Sequence, residues 1–216
     1  VGDGKGADAL EPFWKRLRTS KVKIKAVAID MSPAYIWAVL EHLPKAQIVF
    51  DHFHVIKLYN DKLSGLRRKL YHDLKERQQK QVLKGTRWLL LKNPENLNPD
   101  KNETERLQEA LQLNAPLATA YYMKEELRQF WNQPGKASAE VFLLSWMARA
   151  RASGITMLKN FAKTLAIHKS GLLAYYDHPI STGPLEGTNN KIKTLQKQAT
   201  DSGIWISSNS KSWPSI

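Results

Sequence analysis

The chain has 216 residues, enough to bury one well-packed core or two small ones. Its 33 lysines and arginines outnumber its 20 aspartates and glutamates, which gives a formal net charge of +13. This charge favours nucleic acid as a partner over a membrane, because no amphipathic segment is exclusively basic. The absence of cysteine excludes disulfides, cysteine-type zinc fingers and thiol nucleophiles. With no signal peptide or apolar run of membrane length, the sequence predicts a cytoplasmic protein.

Residues 23–58 contain two short apolar runs, and each run ends on an aspartate. The first run is rich in β-branched and small residues and ends at Asp30, and the second ends at Asp51. A serine-proline pair starts a short helix between the runs, and a later proline stops it. The pattern predicts a strand-helix-strand unit with parallel strands.

Asp30 and Asp51 follow equivalent strands, so both are expected at the carboxyl edge of the sheet, where ligands usually bind. Crowded carboxylates raise each other's pKa unless a cation is present, so a cluster of ionised carboxylates usually holds a metal. The alternative for each aspartate is that it only caps the following helix. His54 is a candidate metal ligand or phosphate contact, with a packed, hydrogen-bonded histidine as its alternative.

From residue 55 onwards the sequence predicts helices for more than a hundred residues. A buried stripe at helical spacing is expected on the first of them, formed by Tyr59, Leu63, Leu66, Leu70 and Leu74. The other faces of this helix are basic and include Arg67 and Arg68, which either face solvent or contact a DNA backbone.

Two features of the later helices are also predicted from their pattern. Glu125 and Glu126 are expected to be solvated surface charges rather than catalytic groups. The packed side of a following helix is expected to include Val141, Leu144 and Trp146.

The segment 181–197 begins with a turn that leads into a helix and places Glu186 in the first helical turn. Amide and ammonium side chains fall on or near the face of this glutamate, namely Asn189, Asn190, Lys193 and Lys197. A structural protein seldom needs such a row of polar groups, although a capping glutamate is the alternative.

The residues DMSPAYIWAVLEHLPKAQIVFDHFHVIK and GPLEGTNNKIKTLQKQAT resemble DDE transposases of bacterial insertion sequences, most closely the ISL-three family. The resemblance spans nearly all of residues 1–200. It implies an RNase H-like core, a helical insertion before the final glutamate, and two divalent metal ions held by an Asp-Asp-Glu set. Hard oxygen ligands suit Mg²⁺ or Mn²⁺. The implied partner is DNA, at the transposon ends and the target, within the bacterial nucleoid.

The implied fold is a partial RNase H-like α/β core with a large all-α insertion, mostly helical overall. Residues 1–58 form the partial core, in the order helix, strand, helix, strand, and residues 59–180 form the insertion. Residues 181–200 form the core helix with the glutamate, followed by a tail at 201–216. The insertion is expected to position DNA ends or a second subunit of a homodimer.

The resemblance assigns catalytic roles to Asp30, Asp51, His54 and Glu186, with the three carboxylates as metal ligands. Asp30 resembles the second aspartate of the set, and Asp51 with His54 matches an Asp-x-x-His signature that follows it. An alternative alignment to the family makes Asp30 and Asp51 the first two carboxylates of the Asp-Asp-Glu set. The asparagines and lysines after Glu186 are then placed to contact DNA phosphate near the cut.

If Asp30 is the second aspartate, the first lies upstream, and we expect an inactive transposase fragment. The tail 201–216 departs from the family. If it is back-translated with permissible codons and the reading frame is moved by one nucleotide, it can encode an amphipathic run that resembles the family's C-terminal helix. A non-catalytic, basic helical DNA-binding protein is the alternative function. An RNase H-like nuclease with another substrate is disfavoured by the EGTNNKIK helix.

Overall fold

The computed structural model describes residues 10–183, 187–188, 190–191 and 194–195. The chain divides into two compact units, 1–180 and 181–216. The α-helices and β-strands of the first unit are, in chain order, α1 (Glu11–Thr19), β1 (Ala26–Ile29), α2 (Pro33–His42), β2 (Gln47–Phe50), α3 (His52–Asp73), α4 (Arg77–Leu83), α5 (Arg87–Leu91), α6 (Glu103–Leu113), α7 (Ala115–Leu127), α8 (Lys136–Ala152), α9 (Thr156–Ile167) and α10 (Lys169–Leu173). Short 3-10 turns occur at Pro94–Asn96, Pro99–Lys101, Arg128–Asn132 and Ala174–Tyr176.

The fold is mostly helical, as predicted, with a small parallel sheet near its start. Strands β1 and β2 pair in parallel, with Ala26 opposite Gln47 and Ile29 opposite Phe50. Helix α2 connects them, with a proline at its first position. This confirms the predicted strand-helix-strand unit. In the part of the chain that the structure describes, every helix is too short or too polar to cross a membrane.

Helix α3 runs from the end of β2 into the helical lobe, which comprises α3 to α10. Its predicted apolar stripe is confirmed, because Tyr59 and Leu63 are fully buried and the later leucines pack against the same core. The hydroxyl of Tyr59 donates a hydrogen bond to the Ala120 carbonyl oxygen at 2.7 Å. Its ring packs against those of Trp146 and Phe161. These aromatic contacts join α3, α8 and α9.

The predicted packed face of α8 was partly wrong. Trp146 is buried, but the side chains of Val141 and Leu144 are 69% and 47% exposed. The buried face of the helix repeats every three or four residues and consists of Ala139, Leu143, Trp146, Met147 and Ala150. Two of these positions are alanines, which a pattern read from large apolar side chains overlooks.

The prediction that Glu125 is a solvated charge was also wrong. Its Oε1 lies 2.7 Å from the ammonium of Lys124, whose side chain is 1% exposed. The same ammonium donates to the Leu90 carbonyl oxygen at 2.7 Å and so ties the end of α5 to α7. Glu126 forms a salt bridge with Arg149. Both glutamates therefore have partners on the protein.

Candidate active site

A shallow depression of about 240 Å³ lies at the carboxyl end of β1. Its lining comes from the loop after β1 and from one face of α3, namely Asp30, Met31, Ser32, His54, Lys57, Leu58 and Asp61. The backbone N–H of Ser32 donates to Asp30 Oδ1 at 3.0 Å, which fixes the carboxylate in a local turn. The fold thus brings Asp30 and His54 to one site.

Asp51 occupies a different environment from Asp30, although each follows a strand. Asp51 is 1% exposed, and its carboxylate caps α3 by accepting a hydrogen bond from the Phe53 N–H at 2.8 Å. The same oxygen lies 3.5 Å from His52 Nδ1. Asp51 is not one of the described residues that line the depression. These contacts are those of a helix cap, and its role as a metal ligand stays a prediction.

The sequence-based predictions did not include Asp61. It is exposed on α3 two turns after His54, so both side chains share a helix face with Lys57. All three line the depression beside Asp30. The spacing of seven residues between His54 and Asp61 is the signal that could have found this acidic residue.

The two arginines predicted to contact DNA differ in their surroundings. Arg67 is half-buried, and its guanidinium donates to the Leu83 carbonyl oxygen at 3.0 Å, linking α3 to the end of α4. Burial is the main cause that lowers the pKa of Arg67, and the charges of Arg68 and Arg87 lower it further. Arg68 is exposed. Arg67 therefore has a structural bond, whereas Arg68 is available to a ligand.

Several predicted site residues lie outside the described residues: Glu186, Asn189, Lys193, Lys197 and the whole tail 201–216. Asn190 is described as helical and exposed, and its carbonyl oxygen accepts a hydrogen bond from the Thr194 hydroxyl at 2.9 Å. This agrees with the helix predicted for the segment.

Within the ranges that the structure describes, no group of three or more histidine, aspartate or glutamate side chains could hold a metal ion. At the depression, Asp30 offers a fixed carboxylate, which is the oxygen ligand that a hard ion prefers, whereas the imidazole of His54 is a ligand more typical of softer metals. Glu186, which was predicted as a metal ligand, lies outside the described residues.

A model of ISL3-type DDE transposases, described as a transposase, matches residues 1–200. The chain therefore belongs to this transposase family, which confirms the resemblance seen in its motifs.

Curated relatives agree with this assignment. The chain is 37% identical over 202 residues to the transposase for insertion sequence element IS1001 of Bordetella parapertussis, covering 92% of this chain and 49% of that protein. It is 27% identical over 199 residues to transposases for IS1557 of Mycobacterium tuberculosis strains CDC 1551 and H37Rv, covering 82% of this chain and 44% of theirs. The chain spans about half the length of these relatives. No solved structure matches it.

Proposed function

We propose that this chain carries part of the catalytic apparatus with which an insertion-sequence transposase cleaves DNA and transfers strands. The observation that supports this function is the convergence of Asp30 and His54 at the carboxyl end of β1, in a member of a transposase family. In this proposal β1 and β2 belong to an RNase H-like sheet, and the helical lobe is the insertion that precedes Glu186.

Asp30 and Glu186 are the proposed metal ligands, and Asp51 stays a predicted further ligand. A bound Mg²⁺ or Mn²⁺ would polarise the phosphoryl group and activate the attacking hydroxyl. Asp30 is suited to this role because the Ser32 N–H holds its carboxylate in place. His54 and Lys57 can contact the phosphate at the same depression, since both line it from α3.

DNA is the proposed partner, as the net charge of +13 suggests. Exposed basic side chains lie along α3, including Lys57, Arg68 and Lys69. Asn189, Asn190, Lys193 and Lys197 are proposed to contact phosphates near the cut. A second subunit is a further proposed partner of the helical lobe.

Mn²⁺ binding measured by titration calorimetry tests the metal site. We expect the full chain to bind Mn²⁺, and we expect Asp30→Asn and Glu186→Gln each to abolish the binding. Asp100→Asn is a matched control, because Asp100 is an exposed aspartate in a 3-10 turn. Mn²⁺ affinity that both site variants leave unchanged would contradict the proposal.

Cleavage is a separate question from metal binding. If Asp30 is the second aspartate of the Asp-Asp-Glu set, the ligands proposed here do not include the first, so we expect this chain by itself to bind DNA without cleaving it. Mn²⁺-dependent nicking of DNA that is lost in Glu186→Ala would refute this expected inactivity.

A second candidate function is DNA binding without metal chemistry. It is favoured by the strongly basic composition, with its formal net charge of +13. It predicts a DNA affinity that falls steeply with salt, while Asp30→Asn and Glu186→Gln leave that affinity unchanged with or without Mn²⁺.

A further inference from the structure

A second cavity, of about 550 Å³, lies in the helical lobe. It is walled by the start of α3, the end of α5 and the 3-10 turn Arg128–Asn132. This volume lies in the range of small-molecule sites, which combine apolar walls with a few polar groups. The roles proposed above for Asp30, His54 and Glu186 do not use it.

The lining of this cavity combines carboxamides with aromatic rings. The carboxamides are Asn60, Asn93, Gln129 and Asn132, and the rings include Phe53, Trp131 and Tyr175. Asparagine and glutamine present a donor and an acceptor side by side, the pattern that matches the edge of a nucleobase. Aromatic side chains provide surfaces on which bases stack.

The charge of the lining argues against a free phosphate as the ligand. Arg128 lines the cavity, but its guanidinium lies 2.8 Å from Glu125 Oε2 and 3.5 Å from Glu95 Oε1. Because Glu125 also contacts the buried Lys124, the two cations and the two carboxylates form one cluster, within which the charge of Arg128 is balanced. The cavity is better suited to a neutral, hydrogen-bonding, planar group than to an anion.

Two polar atoms of the lining residues lack partners. Within the described part of the chain, neither the Asn60 Oδ1 acceptor nor the Trp131 Nε1 donor has a hydrogen-bond partner, and both are shielded from solvent. An unpaired buried polar group is destabilising. A ligand that enters the cavity and shifts these side chains slightly could supply the missing acceptor and donor.

The cavity and the depression use different faces of the same helix. Phe53 and Asn60 line the cavity, whereas His54 and Lys57 line the depression beside Asp30. A helix with its side chains is about 10 Å across, so a strand held at the depression can extend around the first turns of α3. A base that leaves its duplex could then enter the cavity.

We propose that this cavity binds an unpaired base of the DNA whose backbone lies at the Asp30 depression. The inference rests on the proposed function, because it needs DNA at that depression. Trp131 and Phe53 stack on the base, and the carboxamides contact its edge. The energy gained offsets part of the cost of unstacking the base from the duplex.

Paired and unpaired bases can be compared in two duplexes of the same sequence that contain 2-aminopurine. In one duplex the analogue is paired, and in the other it is a single bulged base. We expect the full chain, without metal, to bind the bulged duplex about tenfold more tightly or better, because stacking on an aromatic side chain supplies a factor of this size. Binding should also quench the fluorescence of the bulged analogue.

Variants of the cavity lining, compared with one control variant, test the assignment. Asn60→Leu and Trp131→Phe should each reduce the preference for the bulged duplex several-fold, and Trp88→Phe, which changes an exposed tryptophan outside the lining, should keep it. If Asn60→Leu fails to fold, Gln129→Ala replaces it, because Gln129 is an exposed residue of the cavity lining and its loss should reduce the same preference. Equal affinity for the two duplexes, or a preference unchanged in these cavity variants, would overturn the inference. Binding to neither duplex would overturn the proposed function itself.

Discussion

The carboxylate of Asp51 accepts a hydrogen bond from the backbone N–H of Phe53 at 2.8 Å, so the residue that follows β2 also begins α3. Helix α3 carries His54, Lys57 and Asp61 into the depression beside Asp30. The cap therefore sets where these three side chains lie. Asp51 can influence the site through this helix whether or not it binds metal.

We expect Asp51→Ala to destabilise the chain by about 1 kcal/mol or somewhat more, because the first turn of α3 loses its cap. Asp51→Asn should retain most of the stability, since asparagine caps helices equally well. Urea unfolding followed by circular dichroism measures both variants. If Asp51→Asn is stable but no longer binds Mn²⁺, Asp51 is a metal ligand in addition to a cap.

Neighbouring leucines of α8 test which face of that helix is packed. Leu143 is 0% exposed and Leu144 is 47% exposed. We expect Leu143→Ala to lower the free energy of unfolding by about 2 to 5 kcal/mol, because it opens a cavity in the core. Leu144→Ala should change it by about 0.5 kcal/mol or less. Equal effects in denaturant unfolding would contradict the observed orientation of α8.

His168 should make stability depend on pH. Burial lowers the pKa of His168 below its usual 6.5, and its ring packs edge-on against Phe50. As the pH falls below 6.5 the unfolded chain binds a proton before the folded chain does, so stability decreases until the folded pKa is passed. Protonation of His168 therefore has little effect on stability near pH 7 and lowers stability increasingly towards acidic pH.

We therefore expect His168→Phe to become more stable relative to the wild type as the pH falls from 7 to 5. Chemical unfolding at several pH values gives the free energy of unfolding of both proteins. The difference between them at each pH removes the effects of the titratable groups that both proteins share. The same change at His72, an exposed histidine near the end of α3, is the control. A constant difference between His168→Phe and wild type across this range would show that His168 does not carry the effect.

The two adjacent arginines of α3 should separate DNA binding from stability. Arg68→Gln should weaken DNA binding and lower the salt slope of log K by about 1, because it removes one phosphate contact. Arg67→Gln should mainly destabilise the fold, because the Arg67 guanidinium holds the Leu83 carbonyl oxygen. Fluorescence anisotropy at several salt concentrations and thermal unfolding measure the two effects. The reverse outcome would assign the phosphate contact to Arg67.

Local pattern alone determined several features of this protein. The alternation of apolar runs, turns and prolines predicted β1, α2 and β2 as a parallel unit, and the helical spacing predicted the buried stripe that begins at Tyr59. These features depend on interactions between residues close in sequence, and such interactions leave a regular period. The ordered motifs around Asp30 and Glu186 likewise indicated the transposase family to which the chain belongs.

Only the tertiary structure decided the orientation and surroundings of individual side chains. In the folded chain the alanine side of α8 faces the core, and Glu125 pairs with the buried Lys124. Arg67 donates a hydrogen bond to the end of α4. The tertiary structure also brought Asp61 beside Asp30 and assembled the carboxamide cavity around Trp131. Each of these outcomes depends on contacts with residues far away in the chain, and even the pair of neighbours Lys124 and Glu125 depends on the bond from Lys124 to the Leu90 carbonyl oxygen. A residue's own period can indicate which element it occupies, but its environment depends on what that element packs against.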